Sequence, residues 1–528
     1  MFFVANFKHS NQLLTEKVEI KMKKGSNQAQ NSKNPKPKSQ SKLPIRKKVH
    51  PKKIVLEEKV PPSETEEEIK TMTFNMSTLF TIGVFSDITI NMSEPFSSAN
   101  PKDYNKLFFQ KVKECRKICD FSLKIKDQPA KKNKKELLHH FIECFENKEI
   151  SHLIIPQNIS AFLNMVVDNI SRPFPSLLKI TSLQVADFGD QMVDTAWPHL
   201  QLVYKATFRL FTSTIPMNNF FVPATEKEKQ SNQNKHKSIN DHYNLLSCLV
   251  TNSCSPDNRE RQAAKDILIK IYNKCHDAIP VLKRFVLNQF LTGVCSAELL
   301  EFYTKMVDDL PHPLSEKEIF FYKEVFLVLH TSPLFMKFCL NILTAIDHYV
   351  KIDQNLLEPA VQFLKDHWPV GSVKKQLVFL SELEGLIISY SNIMNEKTAQ
   401  LIFEILSSLV VQPNVEIAET SLSLFMGSSC ENLLASYLEI AMKIMVAPLY
   451  DSAKKNWNEY VREDATFAIQ MLSELDKDLF TKQVDVMKEE RKKKKTYSEI
   501  WKTNWAKVFE TAKMKDKAIT GSNLEIIL

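Results

Sequence analysis

Residues 104–121 read YNKLFFQKVKECRKICDF, and their pattern recurs through most of the chain. The apolar side chains recur at spacings of one, three and four, and they are Leu107, Phe108, Val112, Cys115 and Cys119. The opposite face is mostly basic, with Lys106, Lys111, Lys113 and Arg116. This periodicity predicts an amphipathic helix that needs a partner to cover its apolar face.

Segments of the same kind follow at roughly 135–145, 196–211, 240–250, 258–274, 278–291, 297–308, 316–330, 334–349, 357–366, 374–389, 396–410, 415–425 and 431–444. The breaks between them carry prolines, at Pro256, Pro311, Pro313, Pro333, Pro369, Pro413 and Pro448. Two such helices with their turns occupy about 40 residues, the period of HEAT-like and armadillo-like repeats. The rhythm predicts an all-α fold, a curved α-solenoid whose repeats stack because none could stand alone.

Glycine usage points the same way. The chain has 8 glycines in 528 residues, against an average usage of about 7%. Tight hairpins, nucleotide-binding loops and strained catalytic turns draw on glycine for its positive φ. Helices joined by short polar loops need almost none, so composition favours the helical array.

The net charge of +8 is unevenly distributed. Residues 1–53 carry 14 Lys and Arg against two acids, which gives +12. The remaining 56 basic and 60 acidic residues leave the rest of the chain near −4. A phosphate-binding groove would need the opposite sign, so no specific nucleic acid is expected as a partner.

Composition also divides the chain. We expect a disordered basic tail over 1–75, a linker over 76–100, the repeat solenoid over 101–480 and a charged helical extension over 481–528. Residues 45–53 are either a nuclear import signal or a solvated basic cluster, and 223–238 indicate a flexible loop. In the extension, Trp501, Trp505 and Val508 form an apolar stripe, which we expect to pack on the array; the alternative is a detachable partner helix.

The cysteines indicate a reducing compartment. The chain has nine, an odd number without C-x-x-C spacing, and most lie in apolar helical patterns, as Cys115, Cys119 and Cys339 do. No h-region follows the N-terminus, and no stretch approaches the roughly 20 apolar residues of a membrane span. We expect a soluble protein of the cytoplasm, with the nucleus as a second compartment, and no membrane partner.

No catalytic motif emerges. Walker loops, dinucleotide fingerprints, nucleophile elbows and H-E-x-x-H are absent from the sequence. His139 and His140 are adjacent in a helix and so point to different faces, which disfavours a metal site. Glu382 and Glu384 diverge around their helix and resemble solvated acids. We therefore expect no catalytic residue, no cofactor and no metal, and a binding function instead.

A resemblance to a known protein family indicates which kind of binding function this is. Residues 196–204, AWPHLQLVY, are similar to the matching stretch of the B-prime regulatory subunits of protein phosphatase 2A. Further segments agree in the same order between about 101 and 511, and they are KLF at 106–108, DNRER at 257–261, IY at 271–272, LEP at 357–359, HWP at 367–369, VFLSELE at 378–384, PLY at 448–450 and NWN at 456–458.

The resemblance implies a solenoid of about eight HEAT-like repeats without an active site of its own. It implies docking on a scaffold subunit and a catalytic subunit, and delivery of phosphoprotein substrates to the phosphatase. The positions that it suggests for the subunit interface are Trp197, His199, Arg259, Arg261, Glu382, Glu384, Asn456 and Trp457. Residues 420–429 depart from the family pattern, which affects the details of contact with the catalytic subunit.

Family members also hold Leu-x-x-Ile-x-Glu peptides in a groove of basic and aromatic side chains. By that resemblance Tyr272 is retained and Lys270 replaces an arginine, while the other positions fall on Ile269, Ile279, Ser315 and Glu318. An acidic residue in place of a basic one repels the glutamate of the peptide, so we expect a weak groove or a different motif. Nearby Lys274 and Lys283 could compensate in part, and the groove as predicted comprises Lys270, Tyr272, Lys274, Lys283 and Met306.

Two other functions stay open. A generic α-solenoid adaptor or transport receptor without phosphatase binding fits the helical rhythm equally well. A nucleic-acid binder is suggested by the basic tail and by residues 491–495, and it would show steep salt dependence.

Overall fold

The structure is a computed structural model that describes residues 73–74, 88–121, 127–172, 174, 193–217, 220–221 and 241–515. The expected tail over 1–75, apart from Thr73 and Phe74, lies outside the described residues. So do the basic cluster at 45–53 and the loop expected at 223–238.

The chain divides into two compact units. The described residues up to 310, together with 328–345, form the N-terminal unit, and 311–327 with 346–515 form the C-terminal unit. The helices of the N-terminal unit are α1 Tyr104–Cys115, α2 Gln128–Glu146, α3 Lys148–Ser151, α4 Pro156–Ile170, α5 Trp197–Thr212, α6 Asp241–Asn252, α7 Asn258–Lys274, α8 Ile279–Leu291 and α9 Ala297–Asp308. They pack in two rows, α1, α4, α6 and α8 in one and α2, α5, α7 and α9 in the other.

The C-terminal unit repeats this arrangement. Its helices are α10 Glu316–Phe321, α12 Leu357–Asp366, α13 Val373–Tyr390, α14 Glu396–Leu409, α15 Val415–Met426, α16 Ser428–Lys455, α17 Glu459–Leu475 and α18 Lys477–Lys515, and α11, Phe335–Ile352, ends within it. One row holds α12, α14, α16 and α18, and the other holds α13, α15 and α17. Such double rows are what stacked helical pairs produce, because each pair buries its apolar faces on the next.

The predicted all-α fold is confirmed. Strand structure in the described residues is limited to a two-residue parallel pairing of β1, Thr73–Phe74, with β2, Val193–Asp194. The number of repeats stays a prediction.

Several helix boundaries follow from the sequence. The segments predicted at 258–274, 297–308 and 357–366 form with those bounds. The side chain of Asp257 accepts from the Arg259 amide at the start of α7, and that of Ser296 accepts from the Leu299 amide at the start of α9. Short polar side chains at these N-caps satisfy amides that the helix leaves unpaired, which fixes where each helix begins.

The single helix predicted at 316–330 is wrong. After α10 the chain widens into a π-helical turn at Tyr322–Phe326 and then tightens into a 3-10 turn at Leu327–Thr331. Tyr322 and Phe326 are fully buried, with ring centroids 4.7 Å and 5.7 Å from that of Tyr349. Burial of these large rings decides the local winding, which periodicity does not show.

The break predicted at Pro448 is also wrong. Helix α16 continues through Pro448 and departs from helical backbone at Tyr437 instead. By length and composition alone, α16 is the one helix of the described part of the chain that is long and apolar enough to cross a membrane. Leu433, Met442 and Leu449 of this helix are buried in the C-terminal unit, as in a core helix.

Three helices, α3, α4 and α17, are not predicted by the sequence analysis. Helix α4 has Pro156 in its first turn, a favoured position, and α17 is capped by Asn458, which accepts from the Val461 amide. Both α4 and α17 nevertheless carry an apolar stripe at helical spacing that the sequence analysis overlooked, at 159, 162, 163, 166 and 170 in α4 and at 461, 465, 468 and 472 in α17. Packing supplies the stabilisation that local propensity lacks, since α4 is buried against α1 and α6.

Lys111 lies inside the N-terminal unit, not on the polar face expected for it. Its side chain is fully buried, and its Nζ donates to the carbonyl oxygens of Glu94 at 2.6 Å and Ser93 at 3.2 Å. Burial lowers the pKa of Lys111 to about 8. Residues 88–100 thus meet α1 within the range expected to be a linker, whose bounds stay a prediction.

The cysteines are reduced, and the predicted burial of Cys115, Cys119 and Cys339 is confirmed. Burial raises the pKa of the Cys115 and Cys144 thiols to about 12. A thiol with so high a pKa holds almost no thiolate at neutral pH, so these side chains act as small apolar residues.

Candidate binding surfaces

A buried polar cluster holds the segment before α5 against α7. The guanidinium of Arg172 donates from Nη2 to Glu260 at 2.7 Å and to Asp194 at 3.0 Å. The hydroxyls of Tyr204 and Ser255 also donate to Glu260, at 2.7 Å and 2.6 Å. Burial raises the pKa of Glu260, while Arg172 opposes that rise. We call these five residues the Glu260 cluster. The cluster connects the residues just after α4, the region of β2 and α5, and the start of α7.

Trp197 and Arg259, two positions suggested for a subunit interface, meet beside this cluster. The guanidinium carbon of Arg259 lies 5.0 Å from the centre of the Trp197 ring, and Arg259 Nη2 is 2.6 Å from an oxygen of Asp257. Trp197 is only 8% exposed. Its large face is therefore covered by this chain, and Arg259 is the more accessible member of the pair.

His199 lies on α5 next to a small cavity. Its Nε2 donates to the Lys131 carbonyl oxygen at 2.9 Å, which leaves Nδ1 as an acceptor with no partner in the described residues. Burial lowers the pKa of His199 to about 4. The cavity has a volume of about 120 Å³, and Lys134 and Arg172 also line it. A space of that size holds a few water molecules, and one of these can donate to Nδ1.

Arg261 belongs to the N-terminal unit, and Glu382 and Glu384 belong to the C-terminal unit. Arg261 pairs with Glu298 at 2.9 Å across α7 and α9. In the C-terminal unit, Glu382 is completely buried and Glu384 is half-buried, with an oxygen 3.4 Å from the Ser429 hydroxyl. The expectation that Glu382 is a solvated acid is wrong, because its turn of α13 faces the core. The interface role of all these positions stays a prediction.

Several residues of the predicted peptide groove make contacts within the chain. The Tyr272 hydroxyl donates to Asp309 at 2.8 Å, and burial together with Asp309 raises its pKa. Lys274 donates to the Ser213 carbonyl oxygen at 2.8 Å, and Lys270 Nζ lies 5.5 Å from the centre of the Phe208 ring. The hydroxyl of Tyr272 and the ammonium groups of Lys270 and Lys274 thus already have partners within the chain, which makes them less available to a bound peptide.

The remaining groove positions differ in accessibility. Met306 is buried in α9, whereas Lys283 is half-buried. Ser315 and Glu318 form a capping box at the start of α10, in which each side chain accepts from the other's backbone amide. Glu318 therefore has a local structural role as an N-cap partner, and its carboxylate is already hydrogen-bonded.

Asn456 and Trp457 lie at an open surface of the C-terminal unit. Trp457 is 68% exposed, and its indole donates to the Pro413 carbonyl oxygen at 2.8 Å. The Asn456 side chain donates to the Gln412 carbonyl oxygen at 3.3 Å. These two bonds anchor the turn before α17 to the turn after α14, so the indole is held in place although it is solvent-exposed.

A pocket of about 390 Å³ opens beside this indole and is lined by Val411, Pro413, Asp451, Ser452, Lys455, Asn456 and Trp457. Tyr460 and Phe467 on α17 are also more than half exposed. We call the lining residues together with Tyr460 and Phe467 the Trp457 surface. An exposed aromatic ring that is fixed beside a pocket, as Trp457 is, is typical of the centres of protein interfaces.

Metal chemistry finds no support in the part of the chain that the structure covers, where no group of three or more His, Cys, Asp or Glu side chains could hold an ion. His139 is exposed and His140 buried, so they do point to different faces as predicted. The Nδ1 of His140 lies 2.9 Å from Lys111 Nζ, which gives this histidine a structural partner.

Sequence reasoning missed Glu260 as the centre of a cluster. Its neighbours in the segment DNRER were singled out, but one acid among charged residues gives no sign of complete burial. A weak signal existed, since Glu260 is followed at 264, 267, 268 and 271 by apolar residues on the same helical face.

Over most of its length the chain is similar to one family of known proteins. Residues 93–512 match the family described as protein phosphatase 2A regulatory B subunit (B56 family). The chain is 25% identical over 440 residues to the B' kappa isoform of the 57 kDa regulatory chain of serine/threonine protein phosphatase 2A from Arabidopsis thaliana, covering 82% of this chain and 84% of that protein. It is also 24% identical over 419 residues to the alpha isoform of the 56 kDa regulatory subunit of serine/threonine-protein phosphatase 2A from Mus musculus. That match covers 76% of this chain and 81% of the mouse protein.

Proposed function

Because the chain belongs to the B56 family of regulatory B subunits of protein phosphatase 2A, we propose that it binds the scaffold and catalytic subunits of this phosphatase and directs them to phosphoprotein substrates. The chain is a regulator of a phosphatase and is not itself the catalyst. The match to the family over residues 93–512 carries this proposal, since it spans both compact units.

The Trp457 surface is the part of the described chain best suited to dock a phosphatase subunit. Its indole is exposed yet fixed by the bond to Pro413, so ordering it on binding costs little conformational entropy. Tyr460 and Phe467, seven residues apart on α17, expose further aromatic area on that helix. Asp451 and Lys455 at the pocket carry opposite charges. This combination of an aromatic centre and a polar rim matches the anatomy of specific interfaces.

Co-purification of the tagged full-length chain from its native cells tests the proposal. We expect scaffold and catalytic subunits in near-equal amounts, with phosphatase activity in the eluate. The double variant Trp457→Ala, Phe467→Ala should lower their recovery at least fivefold. Leu291→Ala, at another exposed apolar position, is the matched control and should have no effect. If neither subunit is recovered with the unmodified chain, the generic adaptor function replaces this proposal.

Substrate selection should differ from that of family members that read Leu-x-x-Ile-x-Glu peptides. Support comes from the bond of Tyr272 to Asp309, from burial of Met306 and from Glu318, which adds negative charge where the resemblance places a basic residue. Fluorescence polarisation with a labelled peptide of that type should give binding weaker than about 100 μM. Micromolar binding would overturn this part of the proposal and leave docking of the phosphatase subunits untouched.

We place this activity in the cytoplasm, with the basic cluster at 45–53 as the feature that would add nuclear entry. Imaging of a fluorescent fusion tests this point. Neutralising the lysines of that cluster should deplete a nuclear pool if the cluster is an import signal, and should change nothing if it is a solvated tail.

A further inference from the structure

The last described helix, α18, is packed over its first half only. Phe480 and Met487 are buried, and α16 and α17 pack against this part. Arg491 Nη2 makes the last contact, with Asp451 of α16 at 3.0 Å. Beyond it, the hydrogen bonds and ion pairs of residues 492–515 within the described chain are confined to α18 itself. At 1.5 Å per residue this free half is about 36 Å long.

The free half exposes the apolar stripe that was expected to pack. Trp501 is 47% exposed and Trp505 is 40% exposed, with their ring centroids 5.9 Å apart in an edge-to-face contact. Tyr497, Ile500 and Val508 are more than half exposed. The expected packing on the array is therefore wrong, because the body of the C-terminal unit ends near Arg491 while the helix continues.

One seam joins both halves. Spacings of four and three connect Phe480, Val484, Met487, Arg491, Lys494, Ser498, Trp501, Trp505, Val508 and Ala512. In heptad notation these residues occupy alternating d and a positions, the positions that face a partner helix. They are mostly apolar before and after a polar middle section of Arg491, Lys494 and Ser498. A heptad seam drifts by about 20° per heptad on a straight helix, so Trp501 is turned by about 40° from Met487 and Val508 by about 80° from Phe480. The first layers of the seam are covered by α16 and α17, and the last are open.

Charge defines what can cover the open layers. Residues 491–515 carry nine Lys and Arg against Glu499 and Glu510, a formal net charge of +7. Lys495 and Lys502 follow directly after d positions, at the e positions that contact the flanks of a partner helix. Both glutamates lie away from the seam. A complementary partner is acidic along its flanks and apolar along its own seam.

Other occupants fit less well. A second copy would bring another helix of +7 against this one, and like charges oppose that pairing. A flat anionic membrane could attract the lysines. Helices that lie in a membrane surface, however, bury a broad apolar face, whereas the stripe here consists of Trp501, Trp505 and Val508 among charged residues.

We propose that the free half of α18 is a docking helix for an acidic amphipathic α-helix of another protein, which packs on Trp501, Trp505 and Val508. The partner helix would continue the row that α16 and α17 begin along this seam. Its acidic flanks would pair with Lys495 and Lys502, so the strength of binding would depend on ionic strength. This docking goes beyond the binding of phosphatase subunits and does not require it.

The test uses the full-length chain and a labelled, synthetic 28-residue helix with leucine along its seam and glutamate along its flanks. We expect micromolar binding by fluorescence anisotropy, weakened at least tenfold in the triple variant Trp501→Ala, Trp505→Ala, Val508→Ala. The matched control, Glu499→Ala, Thr503→Ala, Glu510→Ala, changes the opposite face and should bind at least as well. The same peptide with lysine flanks should not bind.

The basic tail at 1–53 could attract the acidic peptide by itself, but it is unchanged in the triple variant. Equal binding by the triple variant and the unmodified chain would therefore overturn the proposal. So would tryptophan-dependent binding to phosphatidylserine vesicles without peptide binding, or a dimer in sedimentation that the triple variant loses. The triple variant should still co-purify phosphatase subunits, and loss of them would assign the stripe to that interface instead.

Discussion

Trp197 and Trp457 each precede or begin a helix, and the family resemblance suggested both for a subunit interface. In the structure they have opposite environments, with Trp197 8% exposed and Trp457 68% exposed. Arg259 covers the face of Trp197, and the buried Glu260 cluster lies beside it. The Trp457 side chain is held through its ring nitrogen, and most of its surface is open to solvent.

The difference separates two reasons for a tryptophan to stand in a recognisable motif. At Trp197 the side chain organises the chain's own interior, so its loss is expected to act through stability. At Trp457 the side chain contributes little to the interior and offers area to a partner, so its loss is expected to act through binding. Four measurements test this difference between the two tryptophans.

The largest effect is expected at the Glu260 cluster. Glu260→Ala removes one of the two carboxylates that pair with the buried guanidinium of Arg172 in the described residues and leaves Asp194. Breaking a buried ion pair by removing one partner costs about 3–5 kcal/mol. Urea unfolding of the variant measures this cost. Gln262→Ala, on the exposed face of the same helix, is the control and should change the stability by less than about 0.5 kcal/mol. Equal stabilities of the two variants would contradict a structural role for the cluster.

Trp197→Ala is expected to lower the free energy of unfolding by about 3 kcal/mol, since it removes a large buried ring and leaves a cavity. The same unfolding experiment measures it. Phosphatase subunits should still co-purify with the fraction that remains folded. Unchanged stability with loss of co-purification would show that Trp197, like Trp457, acts through binding, and would contradict the difference in role proposed here.

His199 makes the same region sensitive to acid. Its pKa in the folded chain is about 4, against an ordinary value of 6.5, so the unfolded chain binds more protons between these values. Stability from this residue is therefore complete above pH 6.5 and is lost as the pH falls towards 4, by about 2 kcal/mol at pH 5. His199→Gln should flatten this dependence, as followed by melting temperature from pH 7 to pH 5. An unchanged slope would show that His199 is not protonated on unfolding.

The smallest effect on stability is expected at Trp457. Trp457→Ala removes one hydrogen bond and little buried area, at a cost of about 1 kcal/mol or less. Recovery of phosphatase subunits should nevertheless fall, measured with the tagged chain as above. A strong loss of stability without a change in recovery would reverse the roles of the two tryptophans.

The positions of many helices could be predicted from local signals. The bounds of 258–274 and 297–308 follow from apolar periodicity and from the N-caps Asp257 and Ser296, which act within one turn of chain. The winding of 316–331 could not be predicted, because distant Tyr349 determines how Tyr322 and Phe326 are buried. The prediction that Lys111 lies on a polar face was wrong for a similar reason, because its side chain donates to backbone oxygens of a segment outside its helix.

The sequence alone determined the all-α fold class, the reduced cysteines, the charge of the tail and the family to which the chain belongs. These are properties of composition, periodicity and motif order, and they need no knowledge of neighbours in space. Only the tertiary structure decided which of the motif residues are buried and which are open to a partner. Burial depends on contacts between segments far apart in the chain, so Glu260 and Trp197 lie inside while Trp457 and the stripe of α18 face solvent.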